Sequence, residues 1–137
     1  MTTLRSDLAP VSEAITRDIR VEVIAQHSTE HSRPSEGEWV FQYTVRITNL
    51  GSEPVQLISR HWIITDGTGR VEEVRGDGVV GKQPALAPGE SFTYTSGCPL
   101  TTPFGVMEGS YQMVTASGEH FDARIAPFTL SEPYTVH

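Results

Sequence analysis

Apolar residues recur at every second position over several stretches of this chain, most sharply over 38–49. There Trp39, Phe41, Tyr43, Val45 and Ile47 alternate with Gln42, Thr44, Arg46 and Thr48. A period of two gathers the first set on one face of a strand, whereas a helix would scatter it around the axis. The same alternation runs over 17–27, where Ile19, Val21, Val23 and Ala25 oppose Arg20, Glu22 and Gln26. The stretch 54–66 is apolar on both sides, with Ile58, Trp62 and Ile64 on one and Val55, Leu57, His61 and Ile63 on the other. That content predicts a strand buried within its sheet. Asp66-Gly67 signals a hairpin that returns over 70–75. Strand pattern resumes over 91–97 (Phe92, Tyr94), 109–116 (Tyr111, Met113) and 120–130 (Phe121, Ala123, Ile125), the last two joined by a turn at Ser117-Gly118.

Between these runs lie a polar loop over 27–38 with Pro34 and Gly37, and an irregular connection over 76–90 with four glycines and two prolines. No stretch carries a helical period. Seven short strands at this spacing predict an all-β domain of two antiparallel sheets packed as a sandwich, since a single sheet would leave the Trp39–Ile47 face in water. Residues 1–16 lack a sustained period and read as an N-terminal tail or lead-in, which leaves 17–137 as one domain.

Charge narrows the partners. Seventeen acidic against ten basic side chains give a formal charge of −7, and the basic residues are spread singly. Such a chain has no general attraction for phosphate backbones or anionic membranes, so neither nucleic acid nor membrane is expected as a partner. One cysteine, Cys98, rules out an internal disulfide, and no apolar run approaches a membrane-spanning length. The expected compartment is the cytoplasm.

From Gly76 onward the residues become specific enough to name a family. Gly76-Asp77-Gly78-Val79-Val80-Gly81, Pro84-Ala85-Leu86-Ala87-Pro88-Gly89-Glu90, Phe92-Thr93-Tyr94-Thr95-Ser96-Gly97, Leu100-Thr101-Thr102-Pro103 and Gly105-Val106-Met107-Glu108-Gly109-Ser110-Tyr111-Gln112-Met113 follow one another. Together with Tyr43-Thr44-Val45-Arg46-Ile47-Thr48-Asn49 and Trp62-Ile63-Ile64-Thr65-Asp66-Gly67, this set resembles the ApaG family over nearly the whole chain beyond its first dozen residues. The resemblance implies an immunoglobulin/fibronectin type III-like β-sandwich. It also implies a stand-alone bacterial protein, with relatives that are modules of eukaryotic F-box proteins and of a polymerase-delta-interacting protein and are thought to mediate protein–protein contact. A gene neighbourhood shared with a diadenosine-tetraphosphate hydrolase, and a role in cobalt tolerance and magnesium efflux, come with the family. No catalytic residues are carried over by it.

Gly76-x-Gly78-x-x-Gly81 matches the dinucleotide fingerprint in letters, but that fingerprint needs a helix opening at the loop to hold pyrophosphate. Pro84, Pro88 and Gly89 prevent a long helix there, so the glycines are expected to serve positive φ or close backbone approach. Gly76, Gly78, Val79, Val80, Gly81 and Lys82 are the candidate ligand or partner loop. Adjacent side chains of extended backbone point opposite ways, so one of Val79 and Val80 could anchor the loop while the other faces a partner; the alternative, at least as strong, is that both pack beneath the loop. His27-x-x-x-His31 has a metal-like spacing but lies in a polar loop, and His61 and His120 sit in strands. Cys98 lacks a nucleophile signature, and Asp66, Asp77, Glu90 and Glu108 fall at turns, where solvated acids are ordinary. The expectation is a non-catalytic binding module for another protein, with no cofactor and no metal. The alternatives are a nucleotide or pyrophosphate sensor using the Gly76–Gly81 loop, and an accessory protein in divalent-cation homeostasis.

Overall fold

The computed structural model describes residues 10–27, with 25–27 by backbone alone, and residues 32–131. Nine strands follow in order: β1 (Ser12–Thr16), β2 (Ile19–His27), β3 (Trp39–Asn49), β4 (Val55–Asp66), β5 (Val71–Asp77), β6 (Ala85–Leu86), β7 (Ser91–Leu100), β8 (Phe104–Thr115) and β9 (His120–Ser131). Among the described residues the one helical element is a 3-10 turn at Pro34–Glu36. One sheet has the order β1-β2-β3-β7 and the other β5-β4-β8-β9, with β6 pairing the start of β4; every pairing is antiparallel. Without β1 and β6, seven strands remain as three in one sheet and four in the other, a fibronectin type III-like sandwich.

The alternating face of β3 is the inner wall of the first sheet: Phe41, Tyr43, Val45 and Ile47 are all buried. Opposite it, Trp62 meets three rings edge-on, with centroids 5.3 Å away at Tyr43, 6.3 Å at Tyr111 and 6.0 Å at Phe128. Such arrangements set the positive edge of one ring on the negative face of another. Tyr94 on β7 and Tyr111 on β8 join hydroxyl to hydroxyl across the two sheets. Each phenol thereby satisfies a polar group that burial would otherwise orphan, and burial pushes both well above the usual tyrosine range.

Strand β4 is central, as its two-sided apolar content predicts, but its phase is different. A bulge between Leu57 and Ser59 inserts Ile58 as an unpaired residue. The bulge puts Val55 and Leu57 on the same inner face as Trp62, and all three are buried, while Ile58 is not. Three other boundaries also differ. The lead-in expected to end at Thr16 contains β1, whose hairpin turn at Arg17-Asp18 has positive φ at both residues (48° and 64°) yet carries no glycine to announce it. Strand β7 runs on to Leu100 through Pro99, tolerated because β7 is an edge strand. Strand β8 begins at Phe104 rather than at residue 109.

Strand β1 also reaches the second sheet: Ser12 Oγ donates to the Ala126 carbonyl (2.7 Å), and Thr16 Oγ1 accepts from the Arg124 amide (3.1 Å). These bonds close the sandwich along β1 and β9. Among the described residues no strand closes the opposite side, between the edge strands β7 and β5.

Asn49 ties the end of β3 to its surroundings. Its Nδ2 donates to the carbonyls of Glu53 (2.9 Å) and Leu86 (3.0 Å), and its Oδ1 accepts from the Gly51 amide (2.9 Å). Asn49→Ala orphans these backbone groups at a buried corner and is expected to cost roughly 2–4 kcal/mol in urea unfolding. A loss below about 0.5 kcal/mol would mean that water replaces the amide there without penalty.

Candidate functional site

The glycine loop is built outward from the β4 bulge. The Ile58 carbonyl accepts the Gly78 amide at 2.8 Å and Gln83 Nε2 at 2.9 Å. Arg60, paired with Gly76 across the β4–β5 ladder, donates from Nη1 to the carbonyls of Asp77 (3.0 Å) and Gly78 (2.8 Å). A side chain at Gly76 would press on that guanidinium, with Nη2 2.8 Å from the added Cβ. Gly78 has φ +64°, and a Cβ there would collide with the Lys82 carbonyl. Its glycine serves backbone geometry.

At the tip, Val79 and Lys82 exchange backbone bonds of 2.8 and 2.9 Å around Val80 (φ 43°) and Gly81 (φ 79°). Two consecutive positive φ values make this a tight mirror-image hairpin turn. Val79 is 1% exposed and part of the core, whereas Val80 is 54% exposed. The two valines therefore do not both pack beneath the loop: Val79 anchors it and Val80 is exposed. Val80 is also β-branched at a φ that such residues rarely adopt.

The chain leaves this turn through Lys82 toward the two-residue strand β6, so among the described residues no helix N-terminus faces the loop, and the amides of Gly78, Val79 and Lys82 are engaged within the protein. Gly78→Ala is expected to lower stability by roughly 2–3 kcal/mol through its φ and the Lys82 carbonyl. Thermal melting checks this, and an unchanged melting temperature would contradict it.

Beside the loop, a cleft of about 340 Å³ opens between β5 and β7. Tyr43, Trp62, Val74 and Met107 line its depth, Arg60 one end, and Glu72, Gly97 and Pro99 its mouth. Ile64, Glu72 and Pro99 also line a second hollow of about 140 Å³ that reaches Asp66 and Arg70. The two form one groove along the open side of the sandwich.

The other candidates disperse. Cys98 is buried, and burial, with the nearby Glu72 charge second, pushes its thiol up to about 11. It is therefore protonated at neutral pH, which a nucleophile is not. His61 bonds Glu73 Oε1 at 2.7 Å on the outer face, and His120 is exposed at the start of β9. His31 and the His27 side chain lie outside the described residues. Asp66 accepts from the Thr68 hydroxyl (2.6 Å) and from the amides of Thr68 and Arg70 within its own turn, the hydroxyl above all holding its carboxyl below the usual range. Glu90 accepts the Ala87 amide at 2.7 Å, Asp77 ends β5, and Glu108 lies within β8. Among the described residues no three His, Cys, Asp or Glu side chains converge as a metal site, and no helix is long and apolar enough to cross a membrane. Sequence reasoning missed Arg60 and Glu72. Neither carries a local signal, because Arg60 gains its role only from the carbonyls of Asp77 and Gly78 that the loop brings to it, and the distant strand β7 completes the cleft around Glu72.

Comparison with known proteins agrees with the architecture. The family model described as the ApaG domain matches residues 29–115. Protein ApaG of Bordetella pertussis is 59% identical over 120 residues, covering 88% of this chain and 92% of the relative. Protein ApaG of a Methylobacterium species is 58% identical over 122 residues, covering 89% and 94%. A crystal structure of a Bordetella pertussis protein described as ApaA superposes with a TM-score of 0.84 at 55% identity, covering 93% of this chain and all of that one. An Archaeoglobus fulgidus structure at 8% identity, with a TM-score of 0.51, shares the fold alone. With its sandwich, its glycine loop and relatives matched along almost their full length, the chain belongs to the ApaG family.

Proposed function

We propose that the chain is a non-catalytic module that binds another protein through the face carrying the loop from Gly76 to Lys82. The observation that supports this is Val80, an apolar β-branched residue displayed to solvent at φ 43° on a turn braced by Arg60 and anchored by Val79. A glycine would relieve that backbone, so the turn geometry does not account for a valine there, whereas an exposed apolar side chain for a partner does. A rigid display also lowers the entropy lost when a partner docks. The proposed compartment is the cytoplasm, and no cofactor is required.

A photo-crosslinking benzoylphenylalanine at position 80 is expected to give a discrete adduct with a partner in native lysate, whereas one at the exposed Glu13 gives none. Equal adduct patterns at both positions would contradict the proposal. Nucleotide sensing or divalent-cation handling would instead produce micromolar heats on titration with ADP, ATP, cobalt or magnesium; the proposal expects none.

A further inference from the structure

We propose that the groove between β5 and β7 receives an extended peptide that adds a strand to the free edge of β7 and places a lysine or arginine side chain beside Glu72. The proposal rests on the chain being a protein-binding module and names the chemistry of the segment it takes.

Three observations converge on this edge. Strand β7 ends its sheet, paired to β3 along one side, and no described strand occupies the other. Free N–H and C=O groups on such an edge are a template for one more strand. Pro99, which has no N–H, bounds the usable ladder, so the available run is the part of β7 up to Cys98. The second observation is that the cleft opens at this edge. Every second side chain of an added strand would point between the sheets, toward Ile64, Val74 and Met107. On the closed side, bonds from Ser12 and Thr16 to β9 leave no such opening.

The third observation is charge. Glu72 lies on the inner side of β5, opposite Ile64 in the β4–β5 register, and lines both parts of the groove. It makes no ion pair with any described residue. The one cation in the deeper part, Arg60, is turned toward the carbonyls of Asp77 and Gly78 at the loop end. An aliphatic stem with a terminal cation therefore matches the groove: the stem covers apolar wall and the cation meets the carboxylate. The formal charge of −7 favours the approach of a basic segment.

The probes are three blocked heptapeptides, acetyl-Ser-Val-Thr-X-Thr-Val-Ser-amide, with X as lysine, norleucine or glutamate, titrated into the isotopically labelled chain and followed by amide shifts. The lysine peptide is expected to shift Ser96, Gly97, Glu72 and the Trp62 indole, and to bind about three- to five-fold tighter than the norleucine peptide. The glutamate peptide binds weakest. Glu72→Gln, an exposed change that leaves the melting temperature unaltered, removes the lysine preference and leaves the norleucine affinity unchanged. Equal affinity for lysine and norleucine, tighter glutamate binding, or no shifts at millimolar peptide would each overturn the proposal. Shifts confined to Val80 and its neighbours would overturn it as well, while leaving the loop's role in protein binding intact.

Discussion

Gly109→Ala is expected to destabilise the fold by about 3 kcal/mol, the upper end for a position overfilled against atoms that cannot move aside. Gly109 pairs with Trp62 where β8 shifts register between Met107 and Gly109. A Cβ there would collide with the His61 carbonyl oxygen and stand 3.0 Å from its carbon and 3.1 Å from the Trp62 Cα. Every one of these atoms is backbone, so no rotamer change relieves the contact. Relief requires moving β8 away from β4, which loosens the Trp62 ring cluster that holds the sheets together. Gly97→Ala is the matched control: its added carbon would meet only the Phe41 carbonyl, at an ordinary 3.7 Å. Urea unfolding of the two variants is expected to separate them by at least about 2 kcal/mol. Near-equal stabilities would show that the strands can spread at Gly109 without cost.

Val79→Asp and Val80→Asp, adjacent and chemically identical, are expected to differ almost as widely. At 1% exposure Val79 sits in the core beneath the turn, and an aspartate there must either bury a charge or pull the loop from its anchor. The expected loss is about 3–5 kcal/mol. Val80 points to solvent at φ 43°, where aspartate is better tolerated than a β-branched residue, so its change should stay within about 0.5 kcal/mol or stabilise slightly. Guanidinium unfolding of both variants checks the split. Two neutral variants would mean that the turn is not anchored through Val79.

Much of this architecture is legible in the residues, because the alternation over 38–49 can be satisfied only by a strand with one buried face. The places where the pattern misleads have specific physical causes. In β4 a single inserted residue at Ile58 reverses the facing of everything before it, and a bulge leaves no mark on composition. Strand β1 has two apolar residues in five and a turn of Arg17 and Asp18 where glycine or asparagine would signal a hairpin. The candidate loop could be found because Gly78 and Gly81 answer to local backbone geometry. The groove could not, since Glu72, Trp62 and Pro99 come together only when two sheets stack and one side stays open.

The most direct measurement replaces Val80 by glycine and follows stability and binding together. Glycine relieves the positive φ while deleting the displayed side chain, so the two readouts should move in opposite directions. The variant is expected to be as stable as the natural chain or more stable by up to about 1 kcal/mol, and to lose binding, in a direct titration, of the partner that the benzoylphenylalanine adduct at position 80 identifies and the natural chain binds. A variant that is as stable and retains that partner at full strength would contradict the claim that this turn exists to present Val80.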